Sequence, residues 1–259
     1  MSRQRIYIAT EGPHDVAFVT RILRLHGLEL IQYEKDLDRY WEPLIPRKFP
    51  FGGDLMKRVP VPVFLQDDRR SVALHAAGGF DRLAPAAEET MSMLGEQALD
   101  AIALIADADS NADSRYRALC EKLKASQLKC EPPLGAVDGK PRCGVWILPN
   151  NRDAGTIESL LLESGRGAYE WLVTQSQSFV ESVQNDGESH GHDRRELAEL
   201  NKPAGSSKAA LAAAASVLRP GKAVQVSIQD NRWITKDTCN NNQTLKGFVE
   251  FLRKLGAID

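Results

Sequence analysis

Apolar positions along this chain alternate between two kinds of run. Ile6-Tyr7-Ile8-Ala9 and Ala101-Ile102-Ala103-Leu104-Ile105-Ala106 are unbroken and short, as expected of strands buried on both faces of a sheet. Val16-Ala17-Phe18, Ile22-Leu23 and Leu25 instead recur at helical spacing until Gly27, which predicts a strand over 5–10 followed by a turn and a helix. Further strands are predicted at 61–66, 71–77 and 144–148, and helices at 80–96 and 115–128, the latter with Tyr116, Leu119 and Leu123 on its apolar face. Residues 28–59 break the alternation. Their prolines and Gly52-Gly53 give an insertion or covering loop with a short helix near 38–44.

Strands alternating with helices predict an α/β fold on a mainly parallel sheet. Beyond residue 155 strand signals nearly vanish. Helices are expected at 156–163, 169–183, 206–218 and 245–255, with a polar loop over 185–193. The organisation read from this is an α/β domain over 1–160, carrying the insertion, and a mainly helical C-terminal extension over 161–259 packed on it.

At 259 residues with 42% hydrophobic and 26% charged positions, the chain has enough apolar material for a large core. A formal net charge of −2 removes the case for wholesale electrostatic coating of nucleic acid, so any such contact must use a local patch. Four cysteines (Cys120, Cys130, Cys143, Cys239) form no CxxC pair, which argues against a structural zinc site or a dense disulfide framework. Together with an N-terminus that leads directly into a strand, and no apolar run of membrane-spanning length, they give the expectation of a reduced, cytoplasmic protein away from membranes.

The chemistry concentrates at two strand ends. Glu11-Gly12-Pro13-His14-Asp15 follows the first buried run and Asp107-Ala108-Asp109 follows the second, where open α/β sheets place their ligand crevice. Carboxylates gathered there repel one another unless a cation sits among them, and Mg²⁺ takes oxygen ligands while keeping several waters. Asp107 and Asp109 share a face if the segment stays extended. Simpler readings exist: Asp109-Ser110-Asn111 is also an N-cap sequence, and Pro13 and Asp15 suit a first helical turn.

In order and flanks, strand-Glu11-Gly12-x-x-Asp15-helix and strand-Asp107-x-Asp109 resemble the Toprim domain of topoisomerases, primases and related nucleases, over roughly the first 160 residues. Residues 10–18, 144–151 and Gly155-Thr156-Ile157-Glu158 look like the uncharacterised Toprim-like group related to overcoming-lysogenisation-defect nucleases. The resemblance implies a Toprim-like fold and phosphodiester hydrolysis of DNA or RNA with Mg²⁺ or Mn²⁺. It implies Glu11 as ligand or general acid/base, Asp107 and Asp109 as ligands, Asp15 and Glu158 as further ligands, and Lys208 as a charge-stabilising catalytic group. It also implies a separate ABC-type or AAA-type ATPase partner and a role in defence against phage. A homo-oligomer is compatible with it. Two other classes stay open: a noncatalytic binding or regulatory subunit, and a phosphatase or transferase acting on small phosphorylated molecules.

Three lesser features complete the reading. Gly78-Gly79 can offer backbone N–H groups to an anion. Arg39, Arg47, Lys48, Lys57 and Arg58, interleaved with Tyr40, Trp41, Phe49 and Phe51, read either as a nucleic-acid groove or as a solvated insertion with aromatic anchors. His190 and His192 lack metal-site partners and read as a solvated loop.

Overall fold

The computed structural model describes residues 3–48, 61–95, 99–125, 134–139 and 141–259. Among these residues the centre is a seven-stranded sheet in the order β2-β3-β4-β1-β5-β7-β6. The inner strands β4 (Arg70–Ala76), β1 (Gln4–Thr10), β5 (Ala101–Asp107) and β7 (Arg142–Leu148) run parallel. The edge strands β2 (Glu29–Leu30), β3 (Val63–Gln66) and β6 (Val137–Asp138) run antiparallel to their neighbours. The fold class is therefore α/β with a mostly parallel sheet, and the unbroken apolar runs are its doubly buried strands.

Period-two alternation sends each strand's residues to two separate cores. Ile6, Ile8, Val72, Leu74, Ala103 and Ile105 face α1 (Pro13–Leu25) and the C-terminal helices, whereas Tyr7, Ala9, Ala73, Ile102, Leu104 and Val145 face the side of α2 (Leu83–Leu94) and α3 (Ala112–Ala125). The chain leaves β1 for β4 on one side of it and returns from β4 to β5 on the other. A strand order that reverses in this way opens a crevice beyond the C-terminal ends of β1 and β5.

The C-terminal region is helical: α4 (Ile157–Asp186), α5 (Gly205–Leu218), α6 (Val224–Asp230), α7 (Lys236–Asn241) and α8 (Gln243–Leu255). The boundary expected near 160 falls inside α4. The two helices expected at 156–163 and 169–183 are one helical run interrupted at Tyr169, whose φ of −138° and ψ of 30° leave the helical region. These helices share a core with the sheet through aromatic contacts. Trp146 of β7 lies 5.3 Å from Phe251 and 5.5 Å from Phe248, and Phe248 lies 5.1 Å from Phe18 of α1, centroid to centroid. Gly144 makes room for this packing, since a Cβ there would stand 2.7 Å from Phe251.

The segment before β3 decides between the two readings of Tyr40 and Trp41. Tyr40 and Trp41 lie in a short 3-10 helix at 39–44 and are buried against β4 and α2, with Trp41 Nε1 donating to Ser71 Oγ at 2.8 Å. They are core anchors, not exposed stacking platforms, and Arg47 is paired with Glu34 at 2.6 Å. Phe49, Phe51, Lys57 and Arg58 lie outside the described residues. Among the described residues Cys120 and Cys239 are free thiols. Among the described residues no helix is long and apolar enough to cross a membrane.

Candidate functional site

Glu11 leaves β1 directly above its pairing with β5, where Thr10 is in register with Ile105. Its carbonyl accepts the N–H groups of Gly78 and Gly79 at 3.0 and 2.9 Å. Both glycines have positive φ, 86° and 125°, and turn the chain after β4 back over the end of β1. The backbone N–H groups that this glycine pair could offer to an anion are thus spent on fixing Glu11. Its side-chain Oε1 accepts from Asp107 N at 2.9 Å and from Arg115 Nη2 at 3.3 Å.

Asp15 owes its position to helix capping. Gly12 is the N-cap of α1 and Pro13 begins the helix, so the residue at the third helical position turns back, and Asp15 Oδ2 accepts Gly12 N–H at 2.7 Å. Its other oxygen, Oδ1, is buried with no hydrogen-bond partner, and the residue is only 4% exposed. Asp107, the last residue of β5, accepts the N–H of Ile157 on Oδ1 at 2.9 Å and so ties the strand end to the N-terminus of α4. One residue into α4, Glu158 is 3% exposed. Its Oε1 lies 2.9 Å from His14 Nδ1, and its Oε2 is a second buried oxygen without a partner.

Asp109 takes a different course. A φ of 49° bends the chain after β5, and a two-residue antiparallel bridge to Gly155 holds it (Asp109 N to Gly155 O 3.0 Å, Gly155 N to Asp109 O 2.9 Å). The expected alternation of Asp107 and Asp109 along an extended segment therefore ends at this bend. Asp109 lies half exposed at the rim, paired with Arg115 at 2.9 Å. Lys208, exposed in the first turn of α5, is close enough for its charge to favour the ionised form of Glu11.

The electrostatics follow first from burial, which the nearby positive charges of Arg115, His14 and Lys208 only partly offset. Burial, then the negative charges of Asp15, Glu158 and Glu11, hold the Asp107 carboxyl well above the usual carboxylate range. Asp15 is pushed up to about 7, first by burial, against the opposing Gly12 hydrogen bond, and then by the charges of Glu11 and Glu158. Burial also raises Glu11, with Asp107 N–H and Arg115 resisting. Glu158 goes the other way: burial pushes it up, but the hydrogen bond from His14, with the polar Thr156 hydroxyl nearby, outweighs that and leaves it lowered.

The structure thus gathers Glu11, Asp15, Asp107 and Glu158 into one interacting cluster, with Asp109 and Lys208 at its edge. As placed, no three His, Cys, Asp or Glu side chains among the described residues stand close enough together to hold an ion. What fits a hard divalent cation is the donor set: carboxylate oxygens only, two of them buried and unpartnered. His190 and His192 are exposed and distant in the chain from this cluster. Arg115 belongs to neither acidic motif, although acids gathered at two strand ends call for a nearby cation and the next helix is where the chain can supply one.

The chain belongs to a family described as protein of unknown function, DUF3226, whose model matches residues 6–257. No curated protein matches it. A solved structure of a hypothetical protein from Pyrococcus horikoshii OT3 is similar at 12% identity with a TM-score of 0.49, covering 98% of this chain and 96% of that one.

Proposed function

We propose that this member of a family of unknown function is a Toprim-like hydrolase that cleaves phosphodiester bonds of DNA or RNA with Mg²⁺ or Mn²⁺. The observation that carries the reading is the pair of buried, unpartnered carboxylate oxygens, Asp15 Oδ1 and Glu158 Oε2, beside Glu11 and Asp107 at the crevice of the sheet. Buried carboxylates are costly to ionise without partners, and oxygen-rich sites of this kind are what hard cations occupy. Asp15, Asp107 and Glu158 would hold the ion, with Glu11 and Asp109 completing the set. When bound, such an ion polarises a phosphoryl oxygen and neutralises developing negative charge.

The chain's own groups supply the rest. Gly78 and Gly79 fix the backbone of Glu11, which can take or return a proton at the reacting phosphate. Lys208 approaches from α5 and offers positive charge to a non-bridging oxygen. The partners in this proposal are a nucleic acid and a separate ATPase, in an anti-phage setting within the cytoplasm. One observation favours a second reading, a noncatalytic regulatory subunit: Arg115 already satisfies Glu11 and Asp109 by ion pairing.

Purified protein, alone and with any co-purifying ATPase, is incubated with DNA and with RNA in Mg²⁺ or Mn²⁺ beside Glu11→Gln and Asp107→Ala. The proposal expects metal-dependent cleavage lost in both variants. Cleavage unchanged in both refutes the site. No cleavage under any condition supports the regulatory subunit.

A further inference from the structure

Arg115 stands among the acids as a built-in cation. It rises from the first turn of α3, with Nη2 2.9 Å from Asp109 Oδ2 and 3.3 Å from Glu11 Oε1. Its Nε donates to the Asp107 carbonyl at 3.1 Å, and the guanidinium lies over the Phe80 ring with Cζ 3.9 Å from the centroid. One side chain therefore touches both acidic motifs at once. We infer that Arg115 is an exchangeable counter-cation: a divalent ion competes with it for Glu11 and Asp109, and the released guanidinium binds a phosphate oxygen of the substrate. This rests on the metal-dependent reading above.

Three features support exchange over a fixed tether. The guanidinium is permanently charged and offers one positive charge to two carboxylates, so a divalent cation compensates the pair better than it does. Its side chain is 25% exposed and Asp109 is 53% exposed, and partly solvated ion pairs of this kind are held weakly. The anchors on the Asp107 carbonyl and the Phe80 face do not depend on either carboxylate. They keep the group at the strand end after the carboxylates leave, with its planar fork free for a phosphate.

The test is calorimetric titration of Mn²⁺ into the wild type, Arg115→Gln and Arg115→Lys, followed by thymidine 5′-monophosphate into each Mn²⁺-saturated protein. Arg115→Gln is expected to bind Mn²⁺ at least about fivefold tighter, the size of a modest coupling between sites. It should bind the monophosphate at least about tenfold more weakly, because the bidentate donor is gone. Weaker Mn²⁺ binding in Arg115→Gln overturns the inference, since Arg115 would then be holding the ligands in place. Unchanged monophosphate affinity overturns it too, leaving only charge repulsion between arginine and metal. If circular dichroism shows Arg115→Gln to be unfolded, Arg115→Lys decides: weakened monophosphate binding supports the fork, and wild-type binding refutes it. A wild type that binds no Mn²⁺ sinks the metal reading itself, an outcome separate from either of the others.

Discussion

Replacing Asp15 by Asn should stabilise the metal-free protein at pH 8 and do little for it at pH 4. In the folded chain burial pushes the Asp15 carboxyl up to about 7, from an ordinary value of 3.8. The folded state therefore keeps a proton that the unfolded chain releases near pH 4. Stability from this group is fully present below the unfolded value and is lost as pH rises through about 7. A shift of roughly 3 units corresponds to about 4 kcal/mol at 1.36 kcal/mol per unit, an upper figure for what Asn recovers at pH 8. Asn retains an oxygen for Gly12 N–H, so the helix cap survives. Urea unfolding with a chelator present, at pH 4 and pH 8, measures the difference. An Asn variant destabilised equally at both pH values would refute the account, because its charge would then carry no folding penalty.

Trp41→Phe should cost about 1–3 kcal/mol, since the buried Ser71 hydroxyl loses the indole donor, yet leave nucleic-acid affinity unchanged by fluorescence anisotropy. Lost affinity with unchanged stability would restore the stacking role. Gly165→Ala should lower the melting temperature: a Cβ there stands 2.5 Å from Cε3 of the fully buried Trp233. Overpacking costs about 1–3 kcal/mol, against a gain of about 0.5–1 kcal/mol in helix propensity. Lys208→Ala should reduce cleavage by about tenfold or more without moving the melting temperature, as the side chain is exposed. A stability loss with unchanged cleavage would make Lys208 structural.

The elements that carry the site were legible because they are long and strongly patterned. β1 and β5 are continuous apolar runs, and Gly12-Pro13 with Asp15 announces the start of α1 through capping chemistry that is local in sequence. The short elements were missed. β2, β6, α6 and α7 span two to seven residues, too few for a period to register, and they exist through contacts to distant parts of the chain. The site followed the same division. Glu11, Asp15 and Asp107 could be placed at strand ends from the pattern alone, but the bend at Asp109 depends on pairing with Gly155, more than forty residues on. Arg115 acquires its meaning only when β1 and β5 lie side by side. The aromatic residues of the insertion look alike in sequence whether exposed or buried, and Tyr40 and Trp41 were assigned only by their packing on β4 and α2.

We propose that Asp15, Asp107 and Glu158, with Glu11, hold a divalent cation. Titrating Mn²⁺ into the wild type and into Asp107→Asn at pH 7.5, followed by calorimetry, addresses it most directly. Saturable binding by the wild type is expected, weakened at least about tenfold in a variant that keeps the side-chain volume and the acceptor for Ile157 N–H. Equal affinity in both proteins, or no binding by the wild type, would contradict it.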